Sequence, residues 1–444
     1  MKALFRKIIL GILTWCARRR LARMRAHGVR VVGVTGSMGK TTCKEAISYV
    51  LRGSFQVMSS AKSYNTEFGL PLTILELRSE FSSVIGWARN IIVAIWRAFF
   101  ASTRYDFLVL EMGVDKPRDM DVLLKVIKTV DVSVFTGVHP VHMAEGQFVS
   151  MDAIFEEKAK LVKATRPEGV VFLNEDDERC RALGRELGSR KGGAKVVMYG
   201  GGERDPAGSP GRGAKMRASQ VYGGWDGLRF EANYGEVRGQ FDVPVLGTQH
   251  VSSLLPAIGC ALLHGMYMGD IVNRMQSFQL PPGRLTLIPG KHGAWIIDSS
   301  YNASPDAVRA ALVTLVELAE EKQMTRRIFV FGNMNELGSI SEREHRGITS
   351  SLLGSVDVLI TVGEQAKFCA DEAIEKNILP RDHVYSFRTT DEIALFFQDF
   401  LREGDLALVK GSQNNIRLER LIKAIMKDPE RAQDLLARQD WNSV

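Results

Sequence analysis

Three glycines, a lysine and three threonines crowd residues 31–42 of this 444-residue chain, V-V-G-V-T-G-S-M-G-K-T-T. Residues of these types at this spacing handle phosphate. Glycines let backbone N–H groups close on phosphate oxygens, and a following helix adds the positive end of its dipole. Thr35, Gly36, Ser37, Met38 and Gly39 would form the cradle of an ATP site. Lys40 would reach the β and γ phosphates, and Thr41, with Thr42 beside it, would offer its hydroxyl to Mg²⁺. The common phosphate loop has a glycine five places before Gly39, where this chain has Val34, so the match is to the variant T-G-x-x-G-K-T-T. A glycine loop alone is an ordinary turn. Gly-Lys-Thr-Thr between an apolar β-branched run and a helix-forming segment indicates a nucleotide site.

Other candidate groups lie downstream. Residues 107–111, F-L-V-L-E, form a short apolar strand ending in Glu111. A carboxylate at the C-terminal end of a strand, beside a phosphate loop, is a natural Mg²⁺ ligand. A further strand over 132–136 runs into G-V-H-P-V-H, which sets His139 and His142 at the same sheet edge. One histidine there is usually structural; a pair facing a phosphate site points to function. Asn65 and Glu67 sit in K-S-Y-N-T-E-F-G-L-P-L-T, a punctuated loop that leads into a helix.

To position these groups the chain needs strands alternating with helices. Strands are expected at 55–59 and 170–174, hairpin strands over 216–245 and an apolar helix over 254–267. Residues 191–213, rich in Gly, Arg and Ser, read as a loop. The P-P-G-R turn at 281–284 marks a domain boundary. Beyond it, apolar runs at 295–298, 327–331, 356–362, 383–387 and 406–409 alternate with helical segments, a second unit with a mostly parallel sheet. The fold class is therefore α/β: an arm over 1–30, a phosphate-loop ATPase domain over 31–287 and a Rossmann-like domain over 288–444.

Bulk properties fit an enzyme of two to three domains, with 45% apolar and 25% charged residues. Five cysteines, 16, 43, 180, 260 and 369, are too scattered for a disulfide framework or a metal site, and suit free thiols in a reducing compartment such as the cytoplasm. The net charge of +7 misleads, because nine Lys and Arg and no acid fall within residues 1–30, leaving the remainder slightly acidic. Nucleic-acid binding is disfavoured on that ground. The arm's apolar run, 8–17, is shorter than the ~20 residues a bilayer span needs and lacks a cleavage signal. Residues 1–25, basic and amphipathic, form a helix that lies on an anionic membrane surface or docks on the protein's own body. A second strongly apolar stretch, 85–100, is expected to be a buried core helix, with an interfacial helix as the alternative. A monomer is expected.

Together the motifs resemble the Mur ligases of peptidoglycan synthesis, and within them the branch that adds D-alanyl-D-alanine to a muramoyl tripeptide. The resemblance covers residues 31–424. It rests on T-G-S-M-G-K-T-T, N-T-E-F-G-L-P-L-T, E-M-G at Glu111, His142, E-E-K-A-K-L around Lys158, D-S-S-Y-N-A-S-P-D from Asp298, G-N-M-N-E-L-G from Gly332 and L-V-K-G-S from Leu408. It implies an ADP-forming acid–amino-acid ligase acting on small peptide substrates. A carboxylate attacks the γ-phosphate of ATP to give an acyl phosphate, and an amine then displaces phosphate. By the same resemblance Lys40 binds phosphate, Thr41 and Glu111 serve a first Mg²⁺ and His142 a second. Lys158 matches the lysine that many members carbamylate into an anionic metal ligand. Arg284 matches the hinge arginine, Asp298, Tyr301 and Asn302 the nucleotide-side motif of the last domain. Asn65, Glu67, Asn335, Glu336 and Lys410 fall in segments that face the substrates.

The chain also departs from the pattern. Thr66 and Phe68 alter N-N-E-I-G, residues 249–253 read Q-H-V-S-S in place of H-N-x-x-N, and Asn333 replaces an aspartate. Only about thirty residues precede the loop's strand, too few for the family's UDP-holding domain, which is expected to be absent. Two other readings stand: a ligase for another amino acid or polymer, of the folylpolyglutamate type, and an ATP-binding membrane-associated scaffold that ligates nothing. Glu111, His142 and Lys158 argue against the scaffold, since a mere binder does not need a second metal site.

Overall fold

The structure is a computed structural model that describes residues 2–60, 64–80, 83–140, 143–190, 192–201, 214–397, 399–413 and 416–437. Its strands begin where β-branched and apolar residues run together. Five of the six residues of β1 (Arg30–Thr35) are fully buried, as are all five of β3 (Phe107–Glu111), as expected for strands covered on both faces. With β2 (Val57–Ser59), β4 (Val130–Phe135), β5 (Thr165–Asn174), β6 (Lys195–Gly201), β7 (Ala214–Gly224), β8 (Gly227–Tyr234) and β9 (Val237–Val243), they form a sheet in the order β2-β3-β1-β4-β5-β6-β7-β8-β9. Pairing is parallel from β2 to β7, and β7, β8 and β9 finish the sheet as antiparallel neighbours.

The strand order reverses at β1, which has β3 on one side and β4 on the other. Connections diverge at such a point and leave a crevice at the carboxyl ends of the strands, where open α/β sheets bind ligands.

Helices α1 (Lys2–Ala26), α2 (Lys40–Leu51), α3 (Gly69–Ile74), α4 (Val84–Phe100), α5 (Asp119–Ile127), α6 (Met151–Lys163), α7 (Glu178–Gly188), α8 (Val251–Leu263) and α9 (Met268–Met275) cover this sheet. One core joins α2, α8 and α9 to one face; a second joins α1 and α3 to α7 to the other. The P-P-G-R turn lies between α9 and β10 (Thr286–Pro289), and there the chain crosses to a second sheet. That sheet adds β11 (Trp295–Ser299), β12 (Arg326–Gly332), β13 (Val358–Val362), β14 (Val384–Phe387) and β15 (Asp405–Lys410), ordered β10-β11-β15-β12-β13-β14. Only β10 runs antiparallel to its neighbour.

Two sequence expectations change, for 191–213 and for 85–100, and for the arm one of the two alternatives is seen. The stretch 191–213 contains strand β6, whose Val196, Val197 and Tyr199 are buried; the glycines that follow masked it in composition. Residues 191 and 202–213 lie outside the described residues. The arm is docked on the body: Ile9, Leu13, Cys16, Ala17, Leu21 and Met24 of α1 are buried against α3, α4 and α5. Finally, α4 is not a core helix. Gly86, Asn90, Ala94 and Ala98 are its buried residues, Trp87, Ile91 and Val93 are half-buried at the sides, and Ile85, Ile92, Ile95, Trp96, Phe99 and Phe100 face out. Small residues permit the close approach of α1, and the apolar run alone did not say which side they would occupy.

Arg20 locks the docked arm. It is buried, and its guanidinium donates to Ile74 O at 2.8 Å, Ser102 O at 3.2 Å and Glu76 Oε2 at 2.5 Å. Arg20→Leu keeps the bulk but strands two carbonyls and a carboxylate, so unfolding free energy should fall by about 3 kcal/mol in chemical denaturation. An unchanged midpoint would mean that α1 is held by its apolar face alone.

Candidate active site

The phosphate loop lies in the crevice at β1, held by the segment that leaves β4. Ser37 N donates to Gly137 O at 2.9 Å, Ser37 Oγ to His139 O at 3.2 Å, and the Thr136 hydroxyl to Thr35 O at 3.3 Å and to Met38 O. Gly36 has a φ of 144° and a Cβ there would lie 1.9 Å from Thr136 Oγ1. Gly39, at φ 76°, would meet Ser253 Oγ at 2.5 Å. Both positions therefore require glycine. Helix α2 starts at Lys40 with no side-chain cap and no acid in its first turn, so its positive end faces the loop undiluted.

Around the loop, acidic and basic groups converge. Lys40 Nζ donates to Ser37 O at 3.0 Å. Burial holds its pKa below the usual lysine value and Arg284 pushes the same way, against Glu111, Asp115 and Glu336. Glu111 is buried at the end of β3, opposite Val34 of β1. It accepts from Thr41 Oγ1 at 2.8 Å and from Asn65 Nδ2 at 3.0 Å. A hydroxyl and a carboxylate thus meet beside the phosphate loop, a hard oxygen set suited to Mg²⁺. His142 lies outside the described residues. Among the described residues no three His, Cys, Asp or Glu side chains cluster as a metal site.

Lys158, on α6, is fully buried and its Nζ has no hydrogen-bond partner among the described residues. Desolvation first, then the charge of Lys40, drive its pKa well below the lysine value, against the fields of Asp115, Glu157 and Asp119. A buried, unpartnered, neutral amine reacts with CO₂, and a carboxylate on that nitrogen would repair the local excess of positive charge. The residues present therefore fit a carbamate and a metal.

The second sheet supplies the opposite wall. Lys410, at the end of β15, donates to Ser299 Oγ at 3.1 Å and Asn302 O at 3.0 Å, and burial with Arg284 nearby lowers its pKa to about 7. Burial raises the Asp298 pKa to about 6, opposed by hydrogen bonds from Ser300. Arg284 stacks on the Tyr301 ring at 4.3 Å. Asn302 Oδ1 accepts from Ala303 N at 2.9 Å, and Asn335 N donates to Ser412 Oγ at 3.0 Å. Glu336, at φ 66°, gives its carbonyl to Met143 N at 3.0 Å, and Ser304 Oγ lies 3.5 Å from Met38 Sδ. The last contact closes the second unit onto the loop, and the one before it onto the segment that follows β4.

Not every expected residue joins the cluster. Glu67 turns away to pair with Arg6 at 3.1 Å. Sequence reasoning missed Asp306, at the start of helix α10 (Pro305–Glu321), which lies 2.6 Å from His139 Nδ1 across the two units and whose pKa that hydrogen bond lowers. It also missed Asp115, whose field reaches both Lys40 and Lys158. Its signal was present, since it follows Glu111 by four residues at the same sheet edge. Ser253 takes the last position of the altered Q-H-V-S-S stretch and packs on Gly39.

A phosphate loop at a strand-order reversal, faced by a second parallel sheet carrying buried cations, defines a two-domain nucleotide-dependent enzyme. The chain belongs to the Mur ligase family: the Mur ligase middle domain matches residues 34–261, and the Mur ligase, glutamate ligase domain matches residues 283–413. It is similar to the UDP-N-acetylmuramoyl-tripeptide–D-alanyl-D-alanine ligase of Bacillus subtilis, at 26% identity over 95% of this chain and 82% of that protein. The enzyme of that name from Mycobacterium tuberculosis is 28% identical over 91% of this chain and 74% of its own length. In fold it resembles the MurF ligase of Thermotoga maritima in complex with ADP, with a TM-score of 0.72 over 95% of this chain and 84% of that one at 21% identity. MurF from Acinetobacter baumannii gives a TM-score of 0.72 over 93% and 79% at 22% identity.

His250 offers a test of the cleft's electrostatics. Its Nε2 has no partner among the described residues, and burial, Arg284 and Lys410 lower its pKa to about 3. The fold keeps it neutral, whereas the unfolded chain binds a proton below 6.5, so stability drains as pH falls from 6.5 toward 3. In pH-dependent thermal denaturation, His250→Asn should flatten this acid limb by up to about 1.4 kcal/mol per pH unit. An unchanged limb would place the imidazole in water.

Proposed function

We propose that this ATP-dependent ligase joins D-alanyl-D-alanine to the terminal carboxylate of a muramoyl peptide, in the cytoplasm where ATP is made. The observation that supports this reading is the closeness of Lys40, the Thr41–Glu111 pair and Lys158, whose nitrogen has no hydrogen-bond partner among the described residues. The names of the relatives that match over nine-tenths of the chain supply the substrate class.

The chemistry must overcome the repulsion between a carboxylate and a polyanion. Lys40 and the N-terminus of α2 hold the β and γ phosphates, and Arg284 and Lys410 bring positive charge from the facing wall. The carboxylate oxygen forms a bond to the γ-phosphorus as the bond to ADP breaks. The amine nitrogen then attacks the acyl phosphate, loses a proton, and phosphate leaves from the tetrahedral carbon. Mg²⁺, held at Thr41 and Glu111 with a second ion at His142 and carbamylated Lys158, would neutralise phosphate charge during transfer. Asn65 fixes the Glu111 carboxylate, and Asn335 and Glu336 line the side from which the amine enters. Tyr301, with Asp298 and Asn302 behind it, offers a ring to the nucleotide.

Carbamylation of Lys158 joins its neutral nitrogen to the carbon of CO₂ and releases a proton. Intact-mass measurement in bicarbonate should find the CO₂ adduct on wild type and not on Lys158→Ala. That variant should lose about 10²-fold or more in kcat and regain part of it with added acetate. Full activity in the alanine variant would remove the lysine from the site.

Substrate choice is tested by ADP release from the full chain with UDP-linked muramoyl tripeptide, MgATP and different amines. D-Alanyl-D-alanine should stimulate turnover well above single amino acids. Equal or greater stimulation by one of those amino acids would assign a different amine.

A further inference from the structure

We propose that the paired outer faces of α1 and α4 form a membrane-docking surface for an anionic lipid leaflet. The proposal concerns a surface outside the reaction site and does not depend on which amine is ligated.

The observation is an inverted helix. Along α4, residues 85, 88/89, 92, 95/96 and 99/100 make one stripe at helical spacing, and it points to solvent. Ile85 is 85% exposed, Ile92 70%, Trp96 55% and Phe100 71%. The stripe continues onto α1, where Ile8 is 53% and Trp15 54% exposed. Trp15 packs on Phe99 with ring centroids 6.0 Å apart, so the two helices present one apolar surface. Arg6 stacks on Phe68, which packs on Trp87, and Arg23 reaches Ala98 O, so the helices run in the same sense. An apolar patch of this extent on a protein surface marks an interaction site.

Charge decides what covers it. Neither helix contains an acid. The acids that border the pair are already matched: Glu67 with Arg6, Glu76 with Arg20 and Glu80 with Arg89. Arg19 lies over the Phe99 ring, and Lys7 and Arg18 are exposed without an ion pair among the described residues. Two copies of this face would set these cations against each other, whereas a lipid surface with anionic headgroups takes them favourably. Exposed tryptophans beside the cations suit the boundary between headgroups and acyl chains. No helix among the described residues is long and apolar enough to cross a membrane, so the contact is interfacial.

The surface also adjoins the reaction site. Arg6 of α1 holds Glu67, two residues from the Asn65 amide that binds Glu111. Docking on this face therefore brings the acceptor loop to the headgroups.

The test is flotation of the full chain with phosphatidylcholine vesicles, with and without phosphatidylglycerol, at low and high salt. Wild type should float with the anionic vesicles and less so in salt. The triple variant Ile92→Ser, Trp96→Ser, Phe100→Ser should bind roughly 10²-fold more weakly. A second variant, Arg18→Gln with Arg19→Gln, should lose about fivefold per arginine on anionic vesicles only. Both should release ADP on soluble substrates at the wild-type rate. Wild type that stays unbound, or a triple variant that floats as wild type does, overturns the proposal. So does sedimentation showing a wild-type dimer, a monomeric triple variant and no vesicle binding, which assigns the face to a second copy of the chain.

Discussion

Positive charge confined in a poorly solvated crevice is the constraint on which this structure turns. Lys40 follows a strand of one sheet, Lys410 ends a strand of the other and Arg284 lies in the turn between them, and Arg284 makes it harder for either lysine to hold a proton. Lys158 feels the charge of Lys40, and its nitrogen has no hydrogen-bond partner among the described residues. The carboxylates of Glu111, Asp115 and Glu336 oppose the loss of charge on Lys40. A site so arranged is unfavourable alone and favourable around a polyanion. The energy withheld from folding becomes available for phosphate, the economy expected of a site preorganised for charge that arrives with its substrate.

The same constraint explains the need for two units. The reversal of strand order at β1 brings the phosphate loop, the end of β3 and the segment after β4 to one edge. None of these carries Arg284 or Lys410. Lys410 comes from the facing sheet and Arg284 from the turn that leads into it, and that sheet is seated by contacts that the sequence gives little reason to expect: His139 with Asp306, Met143 with Glu336, and Met38 with Ser304. Trp225 adds an apolar bearing on the far side, with Nε1 donating to Leu318 O at 2.7 Å and its ring against Trp295. Assembly of the crevice is thus coupled to the approach of the units. A nucleotide bridging both walls favours that approach.

Departures from the family pattern read differently once placed. Asn333, standing where an aspartate is usual, accepts from Gln365 N at 3.1 Å and Ala366 N at 2.9 Å. An amide oxygen performs this backbone task as a carboxylate would, without adding a buried charge. Ser253 leaves room for Gly39, where a larger side chain would press on the phosphate loop. Phe68 meets Trp87 edge to face and lies under Arg6, which ties the altered N-T-E-F-G loop to the α1–α4 pair.

The sequence by itself determined the parts whose chemistry is local. Glycine at positions 36 and 39, the lysine and hydroxyls that follow, and an acid ending a strand are set by covalent structure and backbone conformation. The α/β class and the second parallel sheet likewise follow from apolar runs of the right length. Strand β6 escaped because its few buried residues adjoin a glycine-rich stretch that dominates composition. Tertiary structure alone decided which way a residue faces and what it meets. It turned Glu67 to Arg6, paired His139 with an aspartate 167 positions away, and left the Lys158 nitrogen without a hydrogen-bond partner among the described residues. It also placed the small residues of α4 on its buried side and most of its large ones in solvent. Periodicity fixes which side chains share a face, but only packing against another element selects the face that is buried.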